Sequence, residues 1–225
     1  MSELLTRLAT ANKPLIAAWA NRFSAAAART FPLGLGEIDA ANFTDERGNR
    51  RDIDQAFLAA LLNLPLAADA ATGHKHVTDL HLWHAAAMPT DSREWIDDLV
   101  STGRSGPVFG EPFAGTVEVF TESQLCALHA LLRLATRERS ERWLSHAVRS
   151  CLWLIENIQP DNGTNHPWGA HVFIVVEAMG LTDSGIMYAD AMLTNCQVHQ
   201  GKPDRRSALI LHDAGNELSR IAGFE

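Results

Sequence analysis

The sequence contains only three cysteines, Cys126, Cys151 and Cys196, and no two of them form a CxxC pair. An odd, widely spaced set indicates neither a disulfide framework nor a thiolate zinc site. We therefore expect reduced, buried thiols in a cytoplasmic protein. The N-terminus also lacks a basic leader followed by a short apolar segment, so no signal peptide is expected.

The sequence also lacks an excess of basic residues. It has 19 Lys and Arg against 27 Asp and Glu, and its formal net charge is -8. Nonspecific binding to nucleic acid or anionic membranes requires clustered basic residues, so we expect no nucleic-acid partner. No uncharged apolar run approaches the roughly 18 residues of a membrane span, so no span is expected. A small-molecule ligand and a homodimer stay open as partners.

Short catalytic and metal-binding motifs are missing as well. The sequence has no GxSxG, P-loop or GxGxxG motif. His81 and His84 lie three residues apart after His74 and His76, and could share a metal ion, but HExxH is absent. We expect no metal and no cofactor, and the four histidines otherwise form a polar helix start after a loop.

Apolar residues recur at helical spacing along nearly the whole chain, which predicts an all-α protein. A short hairpin is possible at 117–120, within an irregular stretch at 103–120. At "HVFIVV" (171–176) a strand is the alternative to helix, and helix is favoured. A capping box of Thr121 and Gln124 is expected to begin the helix that ends near residue 137. The ten predicted helices span 2–11, 14–30, 52–64, 77–88, 91–102, 121–137, 140–158, 168–179, 184–199 and 205–222.

The segment "WLIENIQPDNGTNHPW" (153–168) resembles the repeat of α/α-toroid proteins such as terpenoid cyclases and protein prenyltransferases. In that repeat an outer helix ends in Trp-Leu, a Gln and an Asp-Gly turn follow, and an aromatic residue opens an inner helix. The matching positions are Trp153, Leu154, Gln159, Asp161, Gly163 and Trp168. The resemblance extends loosely over 121–222 and implies helical hairpins arranged as a partial α/α toroid or curved solenoid.

The resemblance does not extend to terpenoid chemistry. The segments "DIDQ" (52–55) and "IDDLVS" (96–101) complete neither the protonating acidic motif nor an aspartate-rich diphosphate motif. We expect a single domain over 1–225, which could divide into 1–102 and 121–225 around an irregular loop at 103–120.

Two predicted helices differ in how their apolar residues are distributed. In 140–158, Trp143, Ala147, Leu154 and Ile158 share one face, while His146, Arg149, Glu156 and Asn157 lie opposite, which is typical of an outer helix. The helix at 168–179 is apolar nearly all round, which is typical of a buried inner helix.

The helix at 121–137 has a narrow polar stripe. At about 100° per residue, four side chains align on it, and leucines cover most of the remaining surface. This α6 stripe consists of Glu122, Cys126, His129 and Arg133. It either lines a central pocket or faces solvent.

Further candidates lie near the two ends of the predicted inner helices. His166 and His171 flank Trp168 and could act as acid, base or hydrogen-bond donor beside a stacking surface; otherwise they cap a turn and fill the core. Asp161 could contact the ligand, cap the helix or hold His166. Glu111 and Glu118, among Phe109, Phe113 and Phe120, suit a sugar cleft or a packed surface loop.

These patterns predict an enzyme or small-ligand-binding protein, and they do not decide between the two. Its pocket would lie near 111–122 and 161–171 and take a carbohydrate or an isoprenoid-like molecule. The expected catalytic residues are Glu118, Glu122, His129 and His171, and the expected ligand-binding residues are Arg133, Asp161, His166 and Trp168. The alternative is a non-catalytic helical-repeat module for protein interactions.

Overall fold

A computed structural model of the chain describes residues 3–36, 38–66, 78–88, 94–101, 106–109, 116–158 and 166–224. Over these ranges the chain forms ten helices and no strand, which confirms the all-α prediction. The helices are α1 (Glu3–Ala9), α2 (Lys13–Ala28), α3 (Ile53–Leu62), α4 (Asp79–Ala87), α5 (Glu94–Ser101), α6 (Val117–Arg137), α7 (Glu141–Asn157), α8 (Ala170–Ala178), α9 (Gly185–Asn195) and α10 (Arg205–Ala222).

Helix α6 begins four residues earlier than predicted. Its N-cap residue is Thr116, and residues 117–120 are helical, so the predicted hairpin there is wrong. Thr121 does not cap the helix, because its Oγ1 donates a hydrogen bond to the Val117 carbonyl at 2.7 Å from within the first turns. The hydroxyl of a mid-helix Thr commonly bonds back to the carbonyl four residues earlier, which explains the misread capping box.

Helices α6, α8 and α10 form the interior, and other helices cover them from outside. These three contact one another, while α7 packs on α6, α9 on α8, and α2 on α10. Helix α8 is buried on every side, as its uniform apolar composition predicts, and the segment 171–176 is helical. Close approach of α10 to α2 requires Gly215, where a Cβ would lie 2.7 Å from Ser24 Oγ and 3.1 Å from the Ala20 carbonyl oxygen.

Helix α7 departs from its predicted outer-helix pattern at one residue. His146 was expected on the polar face, but it is buried, with Nε2 2.8 Å from the Val108 carbonyl oxygen. Residues 106–109 lie across this part of α7, so the polar face is partly covered. The periodicity of a helix identifies its faces but not the loops that cover them.

One cluster of buried apolar side chains joins the two halves of the chain. It contains Leu8 and Phe57 from the N-terminal half as well as Leu128 and Leu218 from the C-terminal half. The single-domain organisation, with its possible subdivision around 103–120, stays a prediction.

A buried arginine connects three of the helices. Arg133 of α6 is 3% exposed, and its Nη1 donates to Asp213 and, at 2.9 Å, to Glu217, both on α10. Its Nη2 donates to the Ala60 carbonyl of α3 at 2.7 Å. Removing a charged group from water is costly, and these several bonds offset that cost.

Replacing Arg133 with Met should lower the free energy of unfolding by about 3–5 kcal/mol, because Asp213 and Glu217 would lose a buried partner. The control Arg7→Met removes an ion pair to Glu3 whose side chains are 45% and 80% exposed. It should cost less than about 1 kcal/mol. Urea unfolding of both variants measures the difference, and equal losses would contradict a structural role for the buried arginine.

Candidate functional site

The α6 stripe lies inside the protein rather than on its surface. Arg51, which lies just before the N-cap residue of α3, pairs with Glu122. The indole Nε1 of Trp83, on α4, lies 3.2 Å from Cys126 Sγ. His129 and Arg133 both bind Asp213 of α10. The four side chains of the α6 stripe therefore contact residues of α3 or its N-terminal flank, of α4 and of α10.

His129 is held in one tautomer by its two neighbours. Nδ1 accepts the backbone N–H of Gly169 at 3.4 Å, so the proton resides on Nε2, which is 3.1 Å from Asp213 Oδ2. Arg133 and then His129 keep the pKa of Asp213 well below its usual range, against the opposing effect of burial. Both ring nitrogens of His129 are thus engaged, and the ring acts as a structural link between α6, α10 and the start of α8.

His171 has a different environment. It is fully buried, its ring centroid lies 4.1 Å from that of His129, and neither ring nitrogen has a hydrogen-bond partner in the described chain. Burial, and next the neighbouring His129, lower its pKa well below the usual value. His171 is therefore a neutral core side chain in the folded protein.

Trp168 belongs to a packed aromatic cluster. Its ring centroid lies 4.9 Å from Phe57, 5.7 Å from Trp83 and 5.7 Å from His129, and the side chain is 1% exposed. The next residue, Gly169, has φ +70° and caps α8, and a Cβ there would lie 3.0 Å from the Leu125 carbonyl oxygen. The faces of the Trp168 ring are covered by protein, so no ligand can stack on them in this structure.

The start of α8 is thus filled by side chains, and an open cavity lies beside it. A half-open cavity of about 450 Å³, the flank cavity, is bounded by the loop 45–51, by His166 and by 195–204. Its lining residues are Asp45, Glu46, Arg47, Asn49, Arg51, His166, Asn195, Cys196, His199, Gln200, Lys202 and Asp204.

An ion pair between an arginine and a glutamate lies at the wall of the flank cavity, and the carboxyl group of an aspartate lies close to it. Arg51 lines the cavity and pairs with Glu122 of the α6 stripe. Burial raises the pKa of Asp79, at the start of α4, to about 6, and the Glu122 carboxylate nearby also raises it, while Arg51 opposes this. A carboxyl group whose pKa lies near neutral pH, close to a second carboxyl group that is paired with an arginine, is an arrangement that supports acid–base chemistry.

His166 joins the cavity to α10. Its Nδ1 lies 3.1 Å from Ser207 Oγ and 3.8 Å from Asp204 Oδ2. Burial lowers its pKa, and the Glu122 carboxylate acts in the opposite direction, which places His166 within electrostatic reach of the Arg51–Glu122 pair. Among the predicted ligand-binding residues that the structure describes, His166 is the one that lines the flank cavity.

The other candidates are dispersed. Glu118 is exposed in the first turn of α6 and does not line the flank cavity. Asp161, Glu111, His74 and His76 lie outside the described residues. His81 Nδ1 is 2.8 Å from Thr78 Oγ1 in a helix cap, and His84 is buried. Within the described part of the chain, no three His, Cys, Asp or Glu residues form a group that could hold a metal ion.

Sequence reasoning missed most of the flank cavity. The predicted helices left 45–51 within the connection between residues 30 and 52. They placed 195–199 at the end of a helix and 200–204 in the turn that follows it. The charged run "DERGNRR" (45–51) was the available signal, but loop residues have no periodicity from which a shared site can be inferred.

Comparison with protein families, with curated proteins and with solved structures gives no match to this chain. Among the described residues, no helix is long and apolar enough to cross a membrane.

Trp168→Ala should lower the free energy of unfolding by about 3–5 kcal/mol, because it removes a fully buried aromatic side chain. Trp153→Ala is the matched control, since Trp153 is only partly buried on α7. It should cost markedly less. Denaturant unfolding would measure both, and a Trp168 variant as stable as the wild type would show that the aromatic cluster is not part of the core.

His171→Leu should reduce the loss of stability that accompanies acidification. The folded protein keeps His171 neutral, whereas the unfolded chain gains a proton there near pH 6.5. Its contribution is therefore complete above pH 6.5 and declines as the pH falls below that value. Between pH 7 and pH 5 the variant should lose less stability than the wild type, by at most about 2 kcal/mol.

The control for this prediction is His199→Leu, at an exposed position. Urea unfolding at pH 5 and pH 7 should give this control the wild-type difference. An unchanged difference in His171→Leu would mean that His171 accepts a proton without cost in the folded protein.

Proposed function

We propose that the chain binds a polar, hydroxyl-bearing small molecule of the carbohydrate class in the flank cavity. The observation that supports this is the lining, in which every side chain except that of Cys196 ends in a charged group, an amide or an imidazole. Such groups can pair with many hydroxyls, whereas an isoprenoid offers few polar atoms to them. The carbohydrate half of the sequence-based expectation is therefore the one that we retain for this cavity.

We further propose that the protein is an enzyme that acts on this ligand by proton transfer. The acid–base groups that we infer are Glu122, paired with the cavity-lining Arg51, and Asp79, with its pKa of about 6; both lie behind the lining and not on it. His166 is the third group that can exchange a proton, and it lies on the cavity wall. Of the four predicted catalytic residues, only Glu122 keeps that role in the proposal.

The arrangement that we infer for the helices is the partial α/α toroid or curved solenoid. It is supported by α6, α8 and α10 in the interior, with α4 and α7 packed on α6, α9 on α8, and α2 on α10. In such an arrangement the connections at one end of the inner helices lie together, which is consistent with a cavity at the starts of α3, α8 and α10.

A second cavity favours a different ligand class. It has a volume of about 720 Å³ and is lined largely by apolar residues of 63–66 and 86–88, with Leu134, Arg137 and Glu138. An isoprenoid chain or an apolar segment of a protein partner would suit this lining better than a sugar. This second cavity is therefore the observation that supports the two alternatives, an isoprenoid ligand and a protein-interaction module.

Isothermal titration with glucose, maltose, glucuronate, glucose 6-phosphate and farnesol distinguishes these proposals. At least one sugar should bind the wild type, and Arg51→Gln and Glu122→Gln should each weaken that binding by tenfold or more, about 1.4 kcal/mol. The control is Arg22→Gln, which removes an arginine paired with Asp190 outside the cavity. It should bind as the wild type does.

Each other outcome is informative. Binding of farnesol alone, unaffected by Arg51→Gln, would overturn the carbohydrate proposal in favour of an apolar ligand in the second cavity. Binding by none of the compounds would contradict a small-ligand function and support the interaction module.

A further inference from the structure

The loop 45–51, on one side of the flank cavity, is stabilised by hydrogen bonds to the carboxylate of its first residue, Asp45. Asp45 Oδ1 accepts the backbone N–H groups of Arg47 at 2.9 Å and Asn49 at 2.8 Å, and Oδ2 accepts the Asn49 side-chain amide at 3.1 Å. Arg206 Nη1 lies 3.8 Å from Oδ2. The acceptor positions of this carboxylate are therefore used within the loop, and its charge is offset by Arg206.

The other two carboxylates of the cavity are also engaged by the protein. Asp204 caps α10, where its Oδ1 accepts the Ser207 backbone N–H at 2.6 Å. Glu46 Oε2 accepts the Gln200 side-chain amide at 3.0 Å, a contact that joins the two walls of the cavity across 154 positions in the chain. These acids therefore serve to build the cavity.

Two cations that line the cavity are not engaged in this way. The Arg47 guanidinium and the Lys202 ammonium are exposed and have no ion pair or hydrogen bond within the described part of the chain. Arg51, by contrast, pairs with Glu122, and Arg206 forms two bonds to Asp54, at 3.1 and 2.7 Å. Arg47 and Lys202 lie on opposite walls, and His199 lies near Lys202 in the lining.

We propose that the ligand of the flank cavity carries an anionic group, a carboxylate or a phosphate, that is held between Arg47 and Lys202. This inference rests on the proposed function and narrows its ligand class from carbohydrate to acidic carbohydrate. Arg47 presents a planar pair of donors to two anionic oxygens, and Lys202 supplies a second, mobile charge. His199, on the same wall as Lys202, adds an N–H donor.

The test compares glucose, glucuronate, glucose 6-phosphate and inorganic phosphate by isothermal titration at constant ionic strength. The wild type should bind glucuronate or glucose 6-phosphate at least tenfold more tightly than glucose, and the better of the two identifies the anion. In the double variant Arg47→Gln/Lys202→Gln this preference, the ratio of the affinity for the acidic sugar to the affinity for glucose, should fall by tenfold or more.

The control is the double variant Arg7→Gln/Arg22→Gln, which loses the same number of positive charges at exposed positions outside the cavity. It should keep the wild-type preference, because the effect depends on where the charges lie. An equal loss of preference in both double variants would overturn the proposal, since it would reflect net charge alone.

The remaining outcomes separate this inference from the proposed function. Equal binding of glucose and both acidic sugars by the wild type would overturn the anionic group and leave the carbohydrate function standing. Tight binding of inorganic phosphate, without any gain from the sugar, would support the anion site and contradict the carbohydrate function. Binding of none of the four would overturn both.

Discussion

The buried Arg133 guanidinium is the interaction on which the arrangement of this protein depends. It binds a backbone carbonyl of α3 and two carboxylates of α10, so three helices share one charge. Glu217 also accepts a hydrogen bond from Arg220, and Asp213 also forms one with His129. An ionic group inside a protein stabilises the fold only when such bonds replace its lost hydration. Because α3 begins just after Arg51 and α10 just after Asp204, the same contacts determine how the two walls of the flank cavity face each other.

The charges of the protein thus fall into two sets with different geometry. In the core, Arg133 and Arg206 are almost fully buried and make several bonds each, to Asp213 and Glu217 in one case and Asp54 in the other. At the flank cavity the carboxylates form hydrogen bonds with other groups of the protein, whereas the side chains of Arg47 and Lys202 are exposed to solvent. A core charge without partners would destabilise the protein, whereas an exposed one costs little and stays available to a ligand. This difference separates residues that build the protein from those that can recognise another molecule.

Helical periodicity predicted the architecture more completely than the site. It identified α8 as a buried helix because its residues are apolar on all sides, and it placed Glu122, Cys126, His129 and Arg133 on one line of α6. Periodicity describes one helix at a time, so it could not identify the partners of that line. Asp213 and Glu217 lie on an amphipathic helix and resemble surface acids in the sequence, yet both are buried. His146 is buried for a similar reason, because residues 106–109, remote from it in sequence, cover the polar face of its helix.

The flank cavity could not be predicted for a related reason. Its walls come from 45–51 and 195–204, which are joined by the Gln200–Glu46 hydrogen bond and the Arg206–Asp54 ion pair rather than by any shared pattern. The sequence pointed more clearly to a ligand site at the turn before α8. In the structure, however, Trp168 of that turn packs against Phe57 and Trp83. Large aromatic side chains at the end of an inner helix exclude both water and ligand, and the polar residue just before them, His166, is left at the boundary. A ligand site at this end of the protein must therefore lie to the side of the aromatic cluster, where the loops supply its polar groups.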